Sequence, residues 1–457
     1  MTDSVWIRPE TEYRSEQYFG AAMWSRIFAY VAVVVSAQIL RWSLYVSHGF
    51  DLGFYQQALA AWVHHGFGAQ STYFPGNVLG HNGAWLMPLI AYPATWLGTG
   101  FLFLMESFVM ALGYIPIVRM ARLWEVTPNQ ARLLGVFYLL SPLLIAGNLY
   151  DFHISMLAAP ILLWSLASAW ESRLWPFTAA LILLTGLGIH AVLAGVLLAA
   201  VVITKHGLKP FSWLALGVVV LWIGLLHHFL GTPVTAGILP RDGGVQFHLS
   251  ARSGLYSLWV FMPWLLWIGM GWRHSRFYAS PYWIFPLLDL AAHLLSNNLA
   301  QTSPFDQTSA LMVPFLLWAA IDTARHYKPW PRSGHLVITV ALVGMLGVMA
   351  FDFYHSAWRV RPHNAQALTM AVSHVARHHW IYAQNNVLPH LGMTAHAIPL
   401  SRLDLRHIPP GAEILWDTQF EGHTTPPAVY AYLANLVHSH RVKIVFQTAG
   451  VYVLQTP

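Results

Sequence analysis

Residues 139–163 read "LLSPLLIAGNLYDFHISMLAAPILL", two apolar runs separated by a short polar turn. The runs, near residues 133–147 and 155–170, are long enough to form the two arms of a helical hairpin in a membrane. An acid, Asp151, and an imidazole, His153, lie two positions apart in the turn. Ionisable groups close to a bilayer are costly and usually mark functional sites. The stretch therefore predicts a membrane hairpin with a functional turn; a turn that is merely solvated is the alternative.

The composition of the whole chain indicates the same class of protein. Of its 457 residues, 56% are hydrophobic and 9% are charged, whereas soluble domains carry about 25% charged residues. The 22 Trp, 19 Tyr and 24 Phe residues suit aromatic belts at two membrane interfaces. Cysteine is absent, which excludes a disulfide, a thiol nucleophile and a thiolate metal site. We interpret the sequence as that of a polytopic membrane protein.

Apolar segments of about 20 residues, the length that crosses a bilayer, recur along the chain. Residues 1–26 lack the apolar core and cleavage site of a signal peptide, so we expect the first apolar run to remain as a span. About eleven spans are predicted, near residues 23–46, 101–118, 133–147, 155–170, 174–187, 190–203, 211–230, 254–272, 281–295, 308–324 and 335–355.

Segment 84–97, "AWLMPLIAYPATWL", has 14 residues and two prolines. As a helix it would measure only about 21 Å, so we expect it to lie at the interface or to be re-entrant. The loops that hold most of the Arg and Lys residues then fall on one side of the membrane, which the positive-inside rule makes cytoplasmic. The net charge of +6 is thus explained by orientation, and no nucleic-acid partner is expected. This predicts a protein of the cytoplasmic (inner) membrane with a cytoplasmic N-terminus.

The opposite, outer face receives a first loop at residues 47–83 and the C-terminal part of the chain. We divide the chain into a transmembrane domain at 1–355 and a small extracytoplasmic α/β domain at 356–457. In the second domain "EILWD", "VKIVFQ" and "GVYVLQ" read as strands, and residues 364–378 and 427–440 as helices. The predicted fold is an all-α polytopic membrane bundle with a small C-terminal α/β domain.

Polar residues of the first outer loop are candidates for chemistry. Asp51, in "DLGFYQQAL", is either the N-cap of an interfacial helix or a carboxylate that accepts a proton from a substrate or binds a divalent cation. His81 and Asn82, in "GHNGAWLMP", form either a plain polar turn or, through the imidazole, a contact to a phosphate or a metal. Gln57 belongs to the same loop and is expected to orient it.

Other parts of the chain supply further polar residues. His190, Asn298 and Asp306 lie in outer turns, and each alone reads as an ordinary turn or cap residue. Ionisable residues inside the predicted spans either satisfy one another or belong to a transport pathway. These residues are Arg41, Glu106, Asp289 and His293.

Five stretches carry a resemblance to a known family: "DLGFYQQAL", "GHNGAWLMPLIAYP", "LLSPLLIAGNLYDFHISMLAAPILL", "LLSNNLAQTSPFDQTSALMVPFLL" and "AQNNVLPHL". Together they resemble the polytopic family called domain of unknown function 2079, which looks like a branch of the GT-C glycosyltransferase superfamily. The resemblance implies a GT-C-like bundle, a catalytic acidic residue in the first outer loop and a sugar donor linked to polyprenyl phosphate. Asp51 matches the first-loop Asp, His81 the loop-end His, and Asp151 and His153 the "DFH" element.

The function predicted on this basis is an inverting transfer of a sugar from a polyprenyl-phosphate-linked donor to an acceptor at the outer face. Asp51 would be the general base, and the lipid tail would enter between spans from the membrane. The C-terminal domain is expected to bind the acceptor. The predicted substrate-binding residues are Gln57, His81, Asn82, Tyr150, Asp151, His153, His190, Asn298 and Asp306. The cofactor is left open; a divalent cation is one candidate, with Asp51, His81, Asp151 and His153 as its candidate ligands.

Two other functions stay open at the level of sequence. A transporter or flippase for a lipid-linked substrate is one alternative. A catalytically inactive membrane scaffold is the other, because the chain departs from the family's pattern at residues 188–190, "GIH", and at residues 305–307, "FDQ".

Overall fold

The structure, a computed structural model, combines a large helical region with a small C-terminal sheet. It describes residues 18–74, 76–79, 84–207, 210–229, 280–288, 310–326, 336, 339–348, 350–351, 362–376, 379–394, 396–405, 407–420 and 425–457. The span predicted at 254–272 and the second half of the one predicted at 281–295 lie outside these residues.

The helices account for most of the described chain. In chain order they are α1 (Ala21–Ser43), α2 (Phe54–His65), α3 (Met87–Leu97), α4 (Thr99–Leu112), α5 (Tyr114–Leu123), α6 (Pro128–Leu139), α7 (Pro142–Tyr150), α8 (Ala158–Trp170), α9 (Leu174–Thr185), α10 (Ile189–His206), α11 (Pro210–Phe229), α12 (Met312–His326), α13 (Pro362–Ser373) and α14 (Pro427–His438).

Within the described residues, three segments are long and apolar enough to cross a membrane. They are Ala21–Ser43, Thr99–Leu123 and Pro128–Tyr150. Shorter apolar helices include Leu174–Thr185 and Thr339–Val348. The chain is thus mostly helical with apolar segments of spanning length, while the number of eleven crossings stays a prediction.

The span predicted at 133–147 consists of two helices, α6 and α7, with a break at residues 140–141. Pro142 explains the break, because proline lacks the N–H that a helix interior requires but suits the first position of a new helix. The second helix continues to Tyr150. The polar turn therefore begins only at Asp151, three residues after the turn at 148–154 was expected to begin.

Segment 84–97 contains the short helix α3, with Pro93 in its interior. Eleven residues measure about 16 Å, roughly half of the hydrocarbon thickness. Tyr92 and Trp96 are strongly exposed on this helix, Trp96 by 85%. The short length and the exposed aromatic side chains agree with the prediction of an interfacial segment, whose position in a membrane stays a prediction.

In the part of the chain that the structure describes, the C-terminal sheet has five strands in the order β2-β1-β3-β5-β4. The strands are β1 (Ile381–Ala383), β2 (Ala397–Pro399), β3 (Glu413–Asp417), β4 (Lys443–Thr448) and β5 (Val451–Gln455). Strand β1 pairs in parallel with β2 and β3, and β5 pairs antiparallel with β3 and β4. The three predicted strands and both predicted helices are confirmed, and β1 and β2 are additional.

The two faces of the sheet have different partners. Ile414 and Leu454 point toward α14, whereas Leu415 and Val453 on the other face belong to the same apolar core as α13 and the helical region. Neighbouring strand residues alternate between the faces, as the pleat requires. The sheet thus packs on α13 through one face, and the loop that follows β1 reaches the first loop.

Candidate active site

The first loop holds Asp51 in a single π-helical turn, Gly49–Gly53, between α1 and α2. We call it the Asp51 turn. Its two glycines lie where the backbone passes close to other groups. A Cβ on Gly49 would lie 2.8 Å from the carbonyl oxygen of Asn385, and one on Gly53 would lie 2.8 Å from the hydroxyl of Tyr73. Only residues without a side chain fit these positions, so the turn is built around its glycines.

The second loop, residues 151–153, connects α7 to a 3₁₀ turn at Ile154–Leu157 that leads into α8. Asp151 has a φ of 153° and a ψ of 175°, a conformation that residues other than glycine rarely adopt and that costs about 1–3 kcal/mol. The side chains of Asp151 and His153 are almost fully buried. The turn is therefore held in a strained shape by its contacts rather than solvated.

Crossed contacts join the two loops. Nε2 of His153 lies 2.8 Å from Oδ1 of Asp51, and Nδ1 of His48 lies 2.9 Å from Oδ2 of Asp151. The backbone N–H of His48 donates to the same Asp151 oxygen at 2.8 Å. Each loop contributes one carboxylate and one imidazole, and each carboxylate pairs with the imidazole of the other loop. We call His153–Asp51 and His48–Asp151 the crossed pairs. Asp151 and His153 lie at one site with Asp51, but neither is the other's partner.

Charges within the crossed pairs favour the ionised form of Asp51. Burial alone would raise the pKa of Asp51, but the hydrogen bond and charge of His153 and the charge of His48 outweigh it, so this pKa lies below its usual value. For His48, burial and the charge of Arg41 tend to lower the pKa. The hydrogen bond and charge of Asp151, together with the charge of Asp51, outweigh them, so the pKa of His48 lies above its usual value. Asp51 is therefore a carboxylate at neutral pH.

Glu106, on α4, supports the second loop from inside the bundle. Its Oε1 accepts a hydrogen bond of 3.1 Å from the backbone N–H of His153, and the residue is fully buried. This contact gives a role to one of the ionisable residues that the sequence places within a span. Asp289 and His293, two others of that set, lie outside the described residues.

A buried polar network continues from Glu106 into the bundle and fixes α7. The side-chain amide of Gln38 donates to the carbonyl of Asn148 at 2.6 Å, and Ser107 donates to the Gln38 oxygen at 3.1 Å. Asn148 in turn donates to the Tyr30 hydroxyl at 3.1 Å. Helices α1, α4 and α7 are thereby joined by hydrogen bonds three residues before Asp151. Such satisfied networks hold buried elements in one arrangement.

Two further predicted residues contact this part of the structure: Tyr150 lies beside the crossed pairs, and Gln57 forms a hydrogen bond within the first loop. The ring of Tyr150 stacks on His48, with centroids 5.4 Å apart. Gln57 donates through its amide to the Gln70 carbonyl at 3.3 Å, within the first loop. This contact is what the predicted role of Gln57, orientation of the first loop, requires.

Other candidates cannot be placed against the site. His81, Asn82, Asn298 and Asp306 lie outside the described residues. His190 is the second residue of α10 (Ile189–His206) rather than part of an outer turn, and the structure describes its backbone only.

Two further residues of the site, His48 and Asn385, were not predicted from the sequence. His48 stands three residues before Asp51, so the first loop reads His-x-x-Asp and the second reads Asp-x-His; this pairing of residue types was an available signal. Asn385 belongs to "AQNNVLPHL", a stretch noted only for its resemblance. Its Oδ1 accepts a hydrogen bond of 3.0 Å from the backbone N–H of Phe50. This contact spans 335 positions, which no local pattern reveals.

Three residues of the crossed pairs have the donor set of a cation site. One ligand atom from each of His48, Asp51 and Asp151 lies within 4.8 Å of the other two. Two carboxylate oxygens and one imidazole nitrogen suit a divalent ion such as Mn²⁺ or Zn²⁺. Of the four predicted ligands, Asp51 and Asp151 belong to this set, and His48, which was not predicted, completes it. His81 lies outside the described residues.

Comparison with known proteins agrees with this picture. Residues 41–420 match the family described as predicted membrane protein, DUF2079. The chain belongs to this family. Other DUF2079 sequences are thus its relatives, and they share the region from the end of α1 through β3. No curated protein sequence matches the chain.

Solved structures of ArnT, a GT-C glycosyltransferase, share the fold of this DUF2079 protein. ArnT from Cupriavidus metallidurans bound to undecaprenyl phosphate superposes with a TM-score of 0.60 at 14% identity, covering 95% of this chain and 98% of ArnT. The apo state gives 0.59 at 13% identity, with coverage of 94% and 98%. The GT-C-like resemblance inferred from sequence is thus confirmed at the level of the fold.

Proposed function

We propose that this protein is a membrane glycosyltransferase that moves a sugar from a polyprenyl-phosphate-linked donor to an acceptor at the extracytoplasmic face. The observation that carries the proposal is the convergence of Asp51 and Asp151, each bonded to a histidine of the opposite loop. The fold that the chain shares with ArnT supports the choice of donor, because ArnT binds undecaprenyl phosphate.

Asp51 would act as the general base. An acceptor hydroxyl would attack the anomeric carbon of the sugar while the bond from that carbon to the donor phosphate oxygen breaks. The electron pair stays on the leaving polyprenyl phosphate, and the proton of the acceptor moves to Asp51. The hydrogen bond from His153 at 2.8 Å aims the carboxylate, since base catalysis requires a fixed position within hydrogen-bond reach.

Attack from the face opposite the leaving phosphate inverts the anomeric configuration. Retention by double displacement would need a protein nucleophile and a covalent sugar intermediate. In the described site Asp51 already accepts a hydrogen bond from His153, which suits an oriented base. We therefore propose inversion in a single displacement.

The donor phosphate would lie on the side of His48 and Asp151. His48 is the most exposed member of the crossed pairs, 35% against 2% for Asp151, so it is the group that an incoming phosphate meets. A divalent cation held by His48, Asp51 and Asp151 would stabilise the negative charge that develops on the leaving phosphate. The lipid tail would remain in the membrane beside the helices.

Transfer of label tests the proposal. Purified protein in lipid nanodiscs is incubated with radiolabelled polyprenyl-phosphate sugars, one sugar at a time, together with a delipidated envelope fraction as acceptor. The proposal expects label to leave the lipid for the acceptor with at least one sugar, and the product to have the opposite anomeric configuration. Retention of every label on the lipid would instead favour a transporter or an inactive scaffold.

A further inference from the structure

The loop that follows β1 lies against the Asp51 turn. Leu388, 1% exposed, occupies the space beside both glycines: a Cβ on Gly49 would lie 2.8 Å from that of Leu388, and a Cβ on Gly53 would lie 3.3 Å from it. Asn385 accepts the hydrogen bond from the N–H of Phe50, the residue next to Asp51. Residues 384–390, which we call the docking loop, therefore touch the turn through backbone and side chains.

The docking loop also ties together the two chain segments that flank the turn. The carbonyl of Pro389 accepts hydrogen bonds from the indole of Trp42 at 3.3 Å and from the amide of Gln56 at 3.1 Å. Trp42 belongs to the end of α1 and Gln56 to the start of α2. The ring of His390 stacks on Tyr45 with centroids 3.6 Å apart. One loop of the C-terminal region thus fixes the entry to and the exit from the turn.

The turn itself has weak internal bonds at its start. The N–H groups of Asp51 and Gly53 both donate to the carbonyl of His48 at 3.4 Å, whereas backbone hydrogen bonds are usually about 2.9–3.0 Å. The bond from Phe50 to Asn385 is 3.0 Å. The start of the turn therefore makes its shorter hydrogen bond with the external acceptor, whereas the end of the turn is closed by the N–H of Phe54, which donates to the carbonyls of Gly49 and Asp51.

We propose that Asn385 is a positioning residue for the reaction, and that the docking loop holds the Asp51 turn in the shape in which Asp51 meets His153. The C-terminal region is then part of the active site and not a separate acceptor-binding module. The kinetic side of this inference rests on the proposed function; its structural side does not.

Kinetics test the first side. Asn385→Leu removes the acceptor oxygen while the number and branching of the side-chain heavy atoms stay the same, and Asn385→Asp keeps an oxygen in the same place. Asn385→Leu is expected to lower kcat roughly 10- to 100-fold through misplacement of the base, with the KM for the lipid donor nearly unchanged. Asn385→Asp should restore most of kcat. Asn435→Leu, at an exposed position of α14, is the matched control. An Asn385→Leu variant with wild-type kcat overturns the proposal.

Thiol labelling tests the second side without any activity. Because the chain contains no cysteine, Ser47→Cys creates a single thiol at a position 1% exposed, two residues before the turn. In Ser47→Cys/Asn385→Leu the turn loses one hydrogen bond, which should increase the population of its open form about fivefold. The rate of maleimide labelling should rise by the same factor. Addition of Asn385→Asp or Asn435→Leu should not raise the rate.

The two readouts separate the two ideas. If no donor supports transfer but Asn385→Leu alone accelerates labelling, the proposed function fails and the docking of the turn stands. If transfer occurs and Asn385→Leu changes neither kcat nor labelling, the proposed function stands and Asn385 does not position the turn.

Discussion

His153 bonds Asp51 through its ring and Glu106 through its backbone. Nε2 lies 2.8 Å from the Asp51 carboxylate, and the N–H lies 3.1 Å from Oε1 of Glu106. This one residue connects the proposed base in the first loop with helix α4. The position of the base is therefore set from the helical region on one side and from the docking loop on the other.

His153→Phe tests the contact on the helical side. Phenylalanine preserves a ring of similar size but cannot donate to Asp51, so the carboxylate loses its orientation. We expect transfer to fall roughly 100-fold, measured as initial rate in nanodiscs. His407→Phe, at a residue whose side chain is 85% exposed, should leave the rate within about twofold. Equal rates for the two variants would argue that His153 has no part in the reaction.

Substitutions of Glu106 distinguish the role of its acceptor oxygen from the role of its charge. Glu106→Gln keeps an oxygen that accepts the N–H of His153, whereas Glu106→Leu leaves that buried donor unsatisfied, at a cost of about 1–3 kcal/mol. Glu106→Leu should lower both the thermal midpoint of the detergent-solubilised protein and the transfer rate, and Glu106→Gln should resemble wild type. If the two variants are equally impaired, the charge of Glu106 is required rather than its acceptor oxygen.

The backbone of Asp151 gives a test that does not depend on chemistry. Asp151→Ala and Asp151→Gly both remove the carboxylate that pairs with His48, but only glycine adopts a φ of 153° without strain. The glycine variant should be more stable by about 1 kcal/mol or more, seen as a higher thermal midpoint. An alanine variant that is as stable as the glycine variant contradicts the strained conformation.

A cation at the site is tested by binding of Mn²⁺, followed by electron paramagnetic resonance. His48→Ala, Asp51→Asn and Asp151→Asn should each weaken Mn²⁺ binding by about tenfold or more, because each removes a ligand. Asp404→Asn, which changes an acid whose side chain is 60% exposed, should bind as wild type does. Binding that is unaffected by all three changes would place any cation elsewhere.

His390 makes the docking of the C-terminal region sensitive to acid. Burial lowers the pKa of His390 to about 3, against a small opposing effect of a hydrogen bond with Trp42. The unfolded side chain takes up a proton at about pH 6.5, so the stabilising effect of the neutral ring is lost as the pH falls from about 6.5 toward 3. The thermal midpoint should therefore fall less between pH 7 and pH 5 in His390→Phe than in wild type. An identical fall in the two proteins contradicts a buried neutral imidazole.

Local sequence patterns predicted the longer helices and strands, and the structure explains why shorter elements and one helix break were not predicted. "EILWD" alternates between two buried faces and was readable as a strand, whereas β1 and β2 have three residues each, too few to display a period. The break between α6 and α7 depends on Pro142, a signal that the high hydrophobicity of the run obscured.

The sequence predicted which loops form the site, but not which side chains pair with each other. Loop charges placed Asp51 and Asp151 on one face, and the structure brings both residues into one cluster. The partner of Asp51 lies 102 positions away, and the choice between crossed pairs and a pair within the second loop depends on side-chain directions. Those directions depend on how the helices pack in the folded bundle, which no local sequence pattern reveals.

Asp51→Asn tests most directly whether Asp51 is the base of a sugar transfer. The substitution preserves size and one acceptor oxygen but cannot take the proton. In the nanodisc assay, the account predicts that transfer of label from the polyprenyl-phosphate sugar falls at least roughly 100-fold in Asp51→Asn, while Asp404→Asn transfers label as wild type does. Transfer by Asp51→Asn at the wild-type rate would contradict it.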